Sequence, residues 1–161
     1  MLEPVVESDF GSILQINQAA QPGVVSLSLP ELSQINRTAT VFCALKEGSS
    51  CRAYVIAYEN TRAYDGEEFC WLQKNVADRF LYIDQVAVAS DFRGRGIGTK
   101  VYEFLERFAV MNDFASLACE VNIDPPNLAS LRFHLHRGFH ELGELRTSDG
   151  REVRLMKKSP L

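Results

Sequence analysis

The chain has few cysteines, no long basic run and no long apolar run, and each shortage narrows its class. Its four cysteines, Cys43, Cys51, Cys70 and Cys119, are scattered through 161 residues with no C-x-x-C pair. Zinc ligands need tighter spacing, so no metal site is expected. Reduced thiols in a cytoplasmic protein fit better than a disulfide framework, although Cys43 and Cys51 could face each other across a hairpin. The net charge is -4. That argues against sequence-independent nucleic-acid binding, which depends on neutralising phosphates. No stretch is long and apolar enough to span a bilayer. The opening residues, MLEPVVESDF, carry acids where a secretory signal would carry an apolar core. No repeat or low-complexity segment interrupts the chain. With 46% hydrophobic and 24% charged residues, it reads as one soluble globular domain over residues 1–161 with room for a real core.

What the sequence does contain is Arg93-Gly94-Arg95-Gly96-Ile97-Gly98. It follows a β-branched run, Tyr82 to Val88, and opens an amphipathic run, Ile97 to Val110. Glycines let a backbone take φ > 0 and approach a ligand closely. First-turn N–H groups of a helix lack intrahelical partners, and the helix dipole adds positive potential in front of them. Arg93 and Arg95 add forked donors suited to phosphate oxygens. A strand, a glycine turn and a helix start in that order predict a diphosphate cradle. Two familiar cradles fail on spacing. A P-loop needs Gly-Lys-Ser/Thr, but here Lys100 comes after Gly98 and Thr99. A dinucleotide fingerprint needs G-x-G-x-x-G near the first strand, whereas this G-x-G-x-G lies past mid-chain.

Arg93, Gly96 and Gly98 do satisfy Arg-x-x-Gly-x-Gly. A second stretch runs Glu120-Val121, then Asn127 to His134, then Gly138-Phe139. The two stretches, in this order, resemble the acetyl-CoA-binding core and later motif of the GNAT superfamily of N-acetyltransferases. The likeness spans about Phe80 to Phe139. Residues 1–79 and 140–161 resemble the family only in their pattern of elements.

Elsewhere the pattern gives a first strand over Glu3 to Val6 and a helix with Phe10, Ile13 and Leu14 on one face. A short helix from Pro30 holds Leu32 and Ile35. Thr40 to Leu45 and Arg52 to Tyr58 form a hairpin around Glu47-Gly48-Ser49-Ser50. A long connection follows from Glu59 to Asp78, with a short helix near Trp71 to Asp78. It is either a surface loop stapled by Tyr64, Phe69 and Trp71, or a wall of the acceptor pocket or a subunit contact. Ile97, Val101, Phe104, Leu105 and Phe108 fall on one helical face and read as core. Phe139 to Arg146 and Glu152 to Lys157 pair around Ser148-Asp149-Gly150. The fold class is α/β (α+β): a mixed, mostly antiparallel sheet of about seven strands flanked by about four helices. The resemblance implies a single GNAT-like domain, with a parallel strand pair, Arg79–Val88 and Ala115–Asn122, splaying to admit the cofactor.

Acetyl transfer to an amine needs a polarised thioester carbonyl, an anchored cofactor, a deprotonated amine and a proton donor for the thiolate. The resemblance implies that backbone groups of Val86, Ala87 and Val88 meet the acetyl and pantetheine. It also implies that Arg93, Gly94, Arg95, Gly96, Ile97, Gly98 and Thr99 hold the diphosphate. The side chains of Val86 and Val88 read as sheet core, and Arg95 could instead face solvent or the 3′-phosphate. Asn127, Ser130 and His134 share a helical face. That face is either a solvated surface or, as the family motif implies, a contact with CoA. The family usually has tyrosine where this chain has His134. That tyrosine is the acid that protonates the thiolate; His134 could do this or act as a hydrogen-bonding spacer. Glu120 and Asp84 are the base candidates, each alternatively a structural acid paired with an arginine. Asp84 shares a strand face with Val86 and Val88. Glu120 resembles a glutamate that some members use near the acceptor.

The resemblance thus implies an acetyl-CoA-dependent N-acetyltransferase acting directly on a small-molecule or peptide amine and suggests a homodimer, while charge and hydropathy leave neither nucleic acid nor membrane expected as a partner. Two rivals are a non-catalytic acyl-CoA-binding sensor or scaffold module and a nucleotide-phosphate enzyme.

Overall fold

The computed structural model describes residues 1–159 and 161. Among these lie seven strands and five α-helices. In chain order they are β1 (Leu2–Pro4), α1 (Phe10–Ala20), α2 (Leu29–Thr38), β2 (Val41–Glu47), β3 (Ser50–Glu59), α3 (Glu67–Asn75), β4 (Phe80–Val88), α4 (Ile97–Met111), β5 (Ser116–Asp124), α5 (Leu128–His136), β6 (His140–Arg146) and β7 (Glu152–Lys158). The strands form one mixed sheet in the order β1-β2-β3-β4-β5-β7-β6. The seven-strand α/β expectation holds, with one helix more than the expected four. No helix among the described residues is long and apolar enough to cross a membrane.

By internal contacts the chain divides into two units, Met1–Tyr58 with Asp84–Leu105, and Glu59–Ile83 with Glu106–Leu161. Both β4 and α4 run from one unit into the other.

In the first unit, β2 and β3 pair antiparallel from Val41↔Ala57 to Glu47↔Ser50, and the hairpin turns at Gly48, whose φ is +61. Cys43 lies opposite Val55 and Cys51 opposite Lys46. The two thiols therefore do not face each other, and all four cysteines are free. Ser28 and Glu31 start α2 with a capping box, and Pro30 takes an early helical position where a lost N–H costs nothing. Ile13, Leu32, Val55, Ile56, Val101 and Leu105 are fully enclosed. So is one polar residue, Asn17. Its amide donates to the Val25 carbonyl at 2.9 Å and the Tyr54 hydroxyl at 3.0 Å, and its Oδ1 accepts from Leu27 N–H at 2.9 Å. Tyr54 donates in turn to Gln85 Oε1 at 2.8 Å. This network holds the chain between α1 and α2 against β3 and β4.

In the second unit, β4 and β5 pair parallel from Phe80↔Ser116 to Ile83↔Cys119, as expected. β5 pairs antiparallel with β7, and β7 with β6. Helix α3 begins at Glu67, earlier than Trp71, where the sequence placed it. It buries Phe69 and Leu72, and Phe69 packs 5.4 Å from both Tyr64 and Tyr82, ring centre to ring centre. Its first acid, Glu67, accepts from the Ser148 N–H and hydroxyl at 3.0 and 2.9 Å. Its second, Glu68, pairs with Arg151 at 3.0 Å. The connection over 59–78 is thus pinned by aromatics beneath and, at the β6–β7 turn, by hydrogen bonds from Ser148 and one ion pair with Arg151.

Along α4, Ile97, Val101, Tyr102, Leu105 and Ala109 are buried, whereas Phe104 and Phe108 are only half-buried. The predicted apolar face was therefore too wide. Tyr102 and Ala109 take the enclosed positions, and Phe108 stacks instead on Phe114 at 6.4 Å.

Candidate active site

The first unit brings Val86, Ala87, Val88 and Arg93 to Thr99 into one continuous turn from strand to helix. β4 ends at Val88, a 3-10 turn follows over Ser90–Phe92, and Gly94 and Gly96 then take φ of +71 and +74. No L-residue adopts those angles without strain, which is why glycines stand there. The Lys100 N–H bonds the Gly96 carbonyl at 3.1 Å. The amides of Ile97, Gly98 and Thr99 therefore precede the helical ladder and offer donors at the positive end of α4. A Cβ built on Gly94 or Gly96 would meet nothing within 4 Å, so space in front of the turn is open.

The two motif arginines differ. Arg93 turns back on the protein, donating to the Val88 carbonyl from Nε and to the Ala19 carbonyl from Nη2, both at 3.2 Å. It ties the end of β4 to the last turn of α1. Arg95 is exposed, its guanidinium carbon 5.1 Å from the centre of the Phe92 ring. Arg52, at the start of β3, lies over the same ring at 4.4 Å. The contacts of Arg52 and Phe92 escaped the sequence reading. The only local signal was an aromatic residue immediately before Arg93.

Asp84 is half-buried on β4. Burial chiefly, and the Asp84 charge after it, push the phenols of Tyr54 and Tyr58 upward.

The second unit carries the remaining candidates. Glu120 is half-buried on β5, opposite Leu155 of β7. Two residues on, Asn122 accepts from Arg151 at 3.2 Å. Asn127 caps α5, its Oδ1 accepting from the Ser130 N–H at 3.2 Å. His134 is 5% exposed. Its ring meets Phe133 and Phe139 edge-on at 5.5 and 5.1 Å. Its Nδ1 lies 2.8 Å from the Ser130 carbonyl and 3.3 Å from the Ser130 hydroxyl. A carbonyl only accepts, so Nδ1 carries the hydrogen. Burial chiefly lowers the His134 pKa, the Ser130 bond opposing it. At neutral pH the ring is neutral. Asn127, Ser130 and His134 are thus joined through two successive helical turns.

Comparison with known proteins fits this arrangement. The chain matches the model of the Acetyltransferase (GNAT) family over residues 11–139. No curated protein matches it significantly. Among similar solved structures is the ribosomal-protein-S18-alanine N-acetyltransferase from Escherichia coli, with a TM-score of 0.73 and 18% identity over 98% of this chain and 91% of that one. Ard1 from Thermoplasma volcanium gives 0.78 and 17% over 98% and 95%. The NatB acetyltransferase complex bound to CoA and MES gives 0.74 and 17% over 98% and 97%. At such identities these likenesses speak for the fold alone. The family match runs over most of the chain and takes in the glycine turn and the Asn127–Phe139 stretch together, and the chain therefore belongs to the GNAT acetyltransferase family.

Proposed function

We propose that this protein moves the acetyl group of acetyl-CoA to a primary amine by direct transfer in a ternary complex. The turn from Arg93 to Thr99 carries the reading. It combines two glycines at positive φ, three amides ahead of a helical ladder and open space where side chains would stand. Those groups fit a diphosphate. Main-chain groups of Val86, Ala87 and Val88 are the proposed partners of the acyl and pantetheine portions, and Asn127 and Ser130 of the later motif are proposed to contact CoA. When bound, acetyl-CoA supplies an activated acyl carbon and a thiolate leaving group.

An amine acceptor of lysine type has a free pKa of about 10 and must lose a proton before it can attack. Glu120 is the favoured base and Asp84 the second candidate, both half-buried carboxylates. Direct transfer is supported by the cysteines. Burial pushes Cys43 up to about 11 and, with the neighbouring Glu120 charge, raises Cys119 well above the ordinary thiol range. Neither is a ready nucleophile. His134 in its Nδ1–H form holds its hydrogen against Ser130, so at neutral pH its Nε2 is an acceptor. That favours a packing and hydrogen-bonding role over donation to the thiolate.

Peptide and protein amines are the leading acceptor class. Support comes from similar structures, one an alanine N-acetyltransferase of a ribosomal protein and one, Chaetomium thermophilum Naa20, in complex with a bisubstrate analogue. The test is calorimetry with CoA and with ATP, followed by mass spectrometry of a peptide and small-amine panel incubated with acetyl-CoA. CoA binding and an acetylated amine are expected. ATP binding without CoA binding would sink the reading, and CoA binding with no product from any amine would leave an acyl-CoA sensor in its place.

A further inference from the structure

Three positive side chains surround the glycine turn, yet they do not do the same thing. Arg93, the motif arginine, has its guanidinium engaged by two carbonyls of its own unit. The other two converge on Phe92. Arg52 and Arg95 both lie over its ring, at 4.4 and 5.1 Å from the centroid. The ring's negative face attracts each cation. Of the two, Arg52 has a carboxylate partner on one edge, Glu47 at 3.0 Å.

The arrangement is held in place. The Ala89 N–H donates to the Arg52 carbonyl at 2.8 Å, fixing the start of β3 beside the entrance to the turn. Glu47 accepts from Arg52 Nε at 3.0 Å and orients the fork. The terminal nitrogens of Arg52 meet no acceptor among the described residues, and its side chain is 30% exposed. A guanidinium steadied on one edge and stacked on an aromatic has less freedom to lose when it binds an anion.

Resting on the acetyl-CoA reading above, we infer that Arg52 and Arg95, spaced by Phe92, form the site for the 3′-phosphate of CoA. The diphosphate already has the amides of Ile97, Gly98 and Thr99 before it. A phosphate monoester carries close to two negative charges near neutrality and has oxygens for both Arg95 and the Arg52 nitrogens that Glu47 does not engage. Forked donors take phosphate oxygens in pairs. Arg52 lies outside both motifs, some forty residues before the turn, and its contribution comes from the fold.

The test compares CoA with 3′-dephospho-CoA by calorimetry at low salt. Wild-type protein is expected to prefer CoA by about tenfold or more, with the preference shrinking as salt rises. Arg52→Gln and Arg95→Gln are each expected to cut that preference to about threefold or less while leaving the dephospho-CoA affinity nearly unchanged. Because both ligands are read on the same protein, the ratio does not depend on how much of a variant is folded. Equal wild-type affinities would overturn the assignment and leave the acetyl-CoA reading standing. So would an Arg52→Gln variant that weakens both ligands alike. Failure of the wild type to bind either ligand would remove the acetyl-CoA reading and this site with it.

Discussion

Arg137 donates to Glu106 across 2.7 Å, joining the residue after α5 to the second half of α4. Lys158 reaches the same oxygen from the end of β7 at 2.8 Å. Burial would raise the Glu106 pKa, but hydrogen bonds from Lys158 and Arg137 more than offset it and hold it below the ordinary 4.5. A carboxylate depressed in the folded state stabilises above its unfolded value, and that contribution is lost as pH falls through the folded value. Glu106→Gln leaves two cations facing a neutral amide. It should cost about 1–3 kcal/mol at pH 7 and flatten the loss of stability below pH 4.5. Urea titrations at pH 7 and pH 3.5 check both. A variant as acid-sensitive as the parent protein would show that Glu106 is not the responsible group.

The Asn17 network makes a prediction about the segment between α1 and α2. Asn17→Leu removes the acceptor for the Leu27 N–H and a donor to the Val25 carbonyl, and leaves Gln85 and Tyr54 to repair one enclosed cluster. Orphaned buried polar groups cost about 1–3 kcal/mol each. A loss of about 2–4 kcal/mol is expected, with faster amide exchange at Leu27 than in β2. Unchanged exchange at Leu27 would show that the segment is held by something else.

His134 sets a second pH limb. Its folded pKa lies below the ordinary 6.5, so below pH 6.5 the unfolded chain binds a proton that the fold excludes. Stability should therefore rise with pH from the depressed folded value up to 6.5 and level off above it. His134→Phe keeps a ring beside Phe133 and Phe139 and abolishes that rise. Denaturation midpoints between pH 5 and pH 7.5 would show a slope in the parent and none in the variant. If His134 acts only in packing, kcat in the variant should stay within about threefold of the parent, since a lost proton donor costs 10²-fold or more.

Features written in neighbouring residues were legible before the fold. The glycine turn, the start of α4 and the last hairpin follow from short-range signals, turn glycines, helical spacing and strand alternation, whereas the parallel pair was implied only by the family resemblance. Features written across distance were not. Glu67 and Glu68 read as loop acids because their partners, Ser148 and Arg151, stand 81 and 83 positions away. That is also why the start of α3 was placed too late. Asn17 sits in an amphipathic helix where a polar residue ordinarily faces water, and only Tyr54 and Gln85 make its burial tolerable. Phe104 and Phe108 show the converse. Aromatic residues at helical spacing suggested a broad buried face, but small Ala109 fills the enclosed position.

Arg93 and Arg95 look interchangeable in the motif and should separate on substitution. Arg93 joins the Val88 and Ala19 carbonyls, so Arg93→Ala leaves both without their donor and is expected to cost about 1 kcal/mol. Arg95 touches only the Phe92 face among the described residues, so Arg95→Ala should change stability by less than about 0.5 kcal/mol. CoA affinity is expected to fall in both, for different reasons. Arg93→Ala loosens the turn that presents the amides, and its loss should depend little on salt. Arg95→Ala removes a charge beside the phosphates, and its loss should be largest at low ionic strength. Denaturation midpoints together with CoA titrations at two salt concentrations separate the two roles. An Arg95→Ala variant less stable than Arg93→Ala, or an Arg93→Ala loss that disappears in high salt, would reverse the assignment of strut and charge.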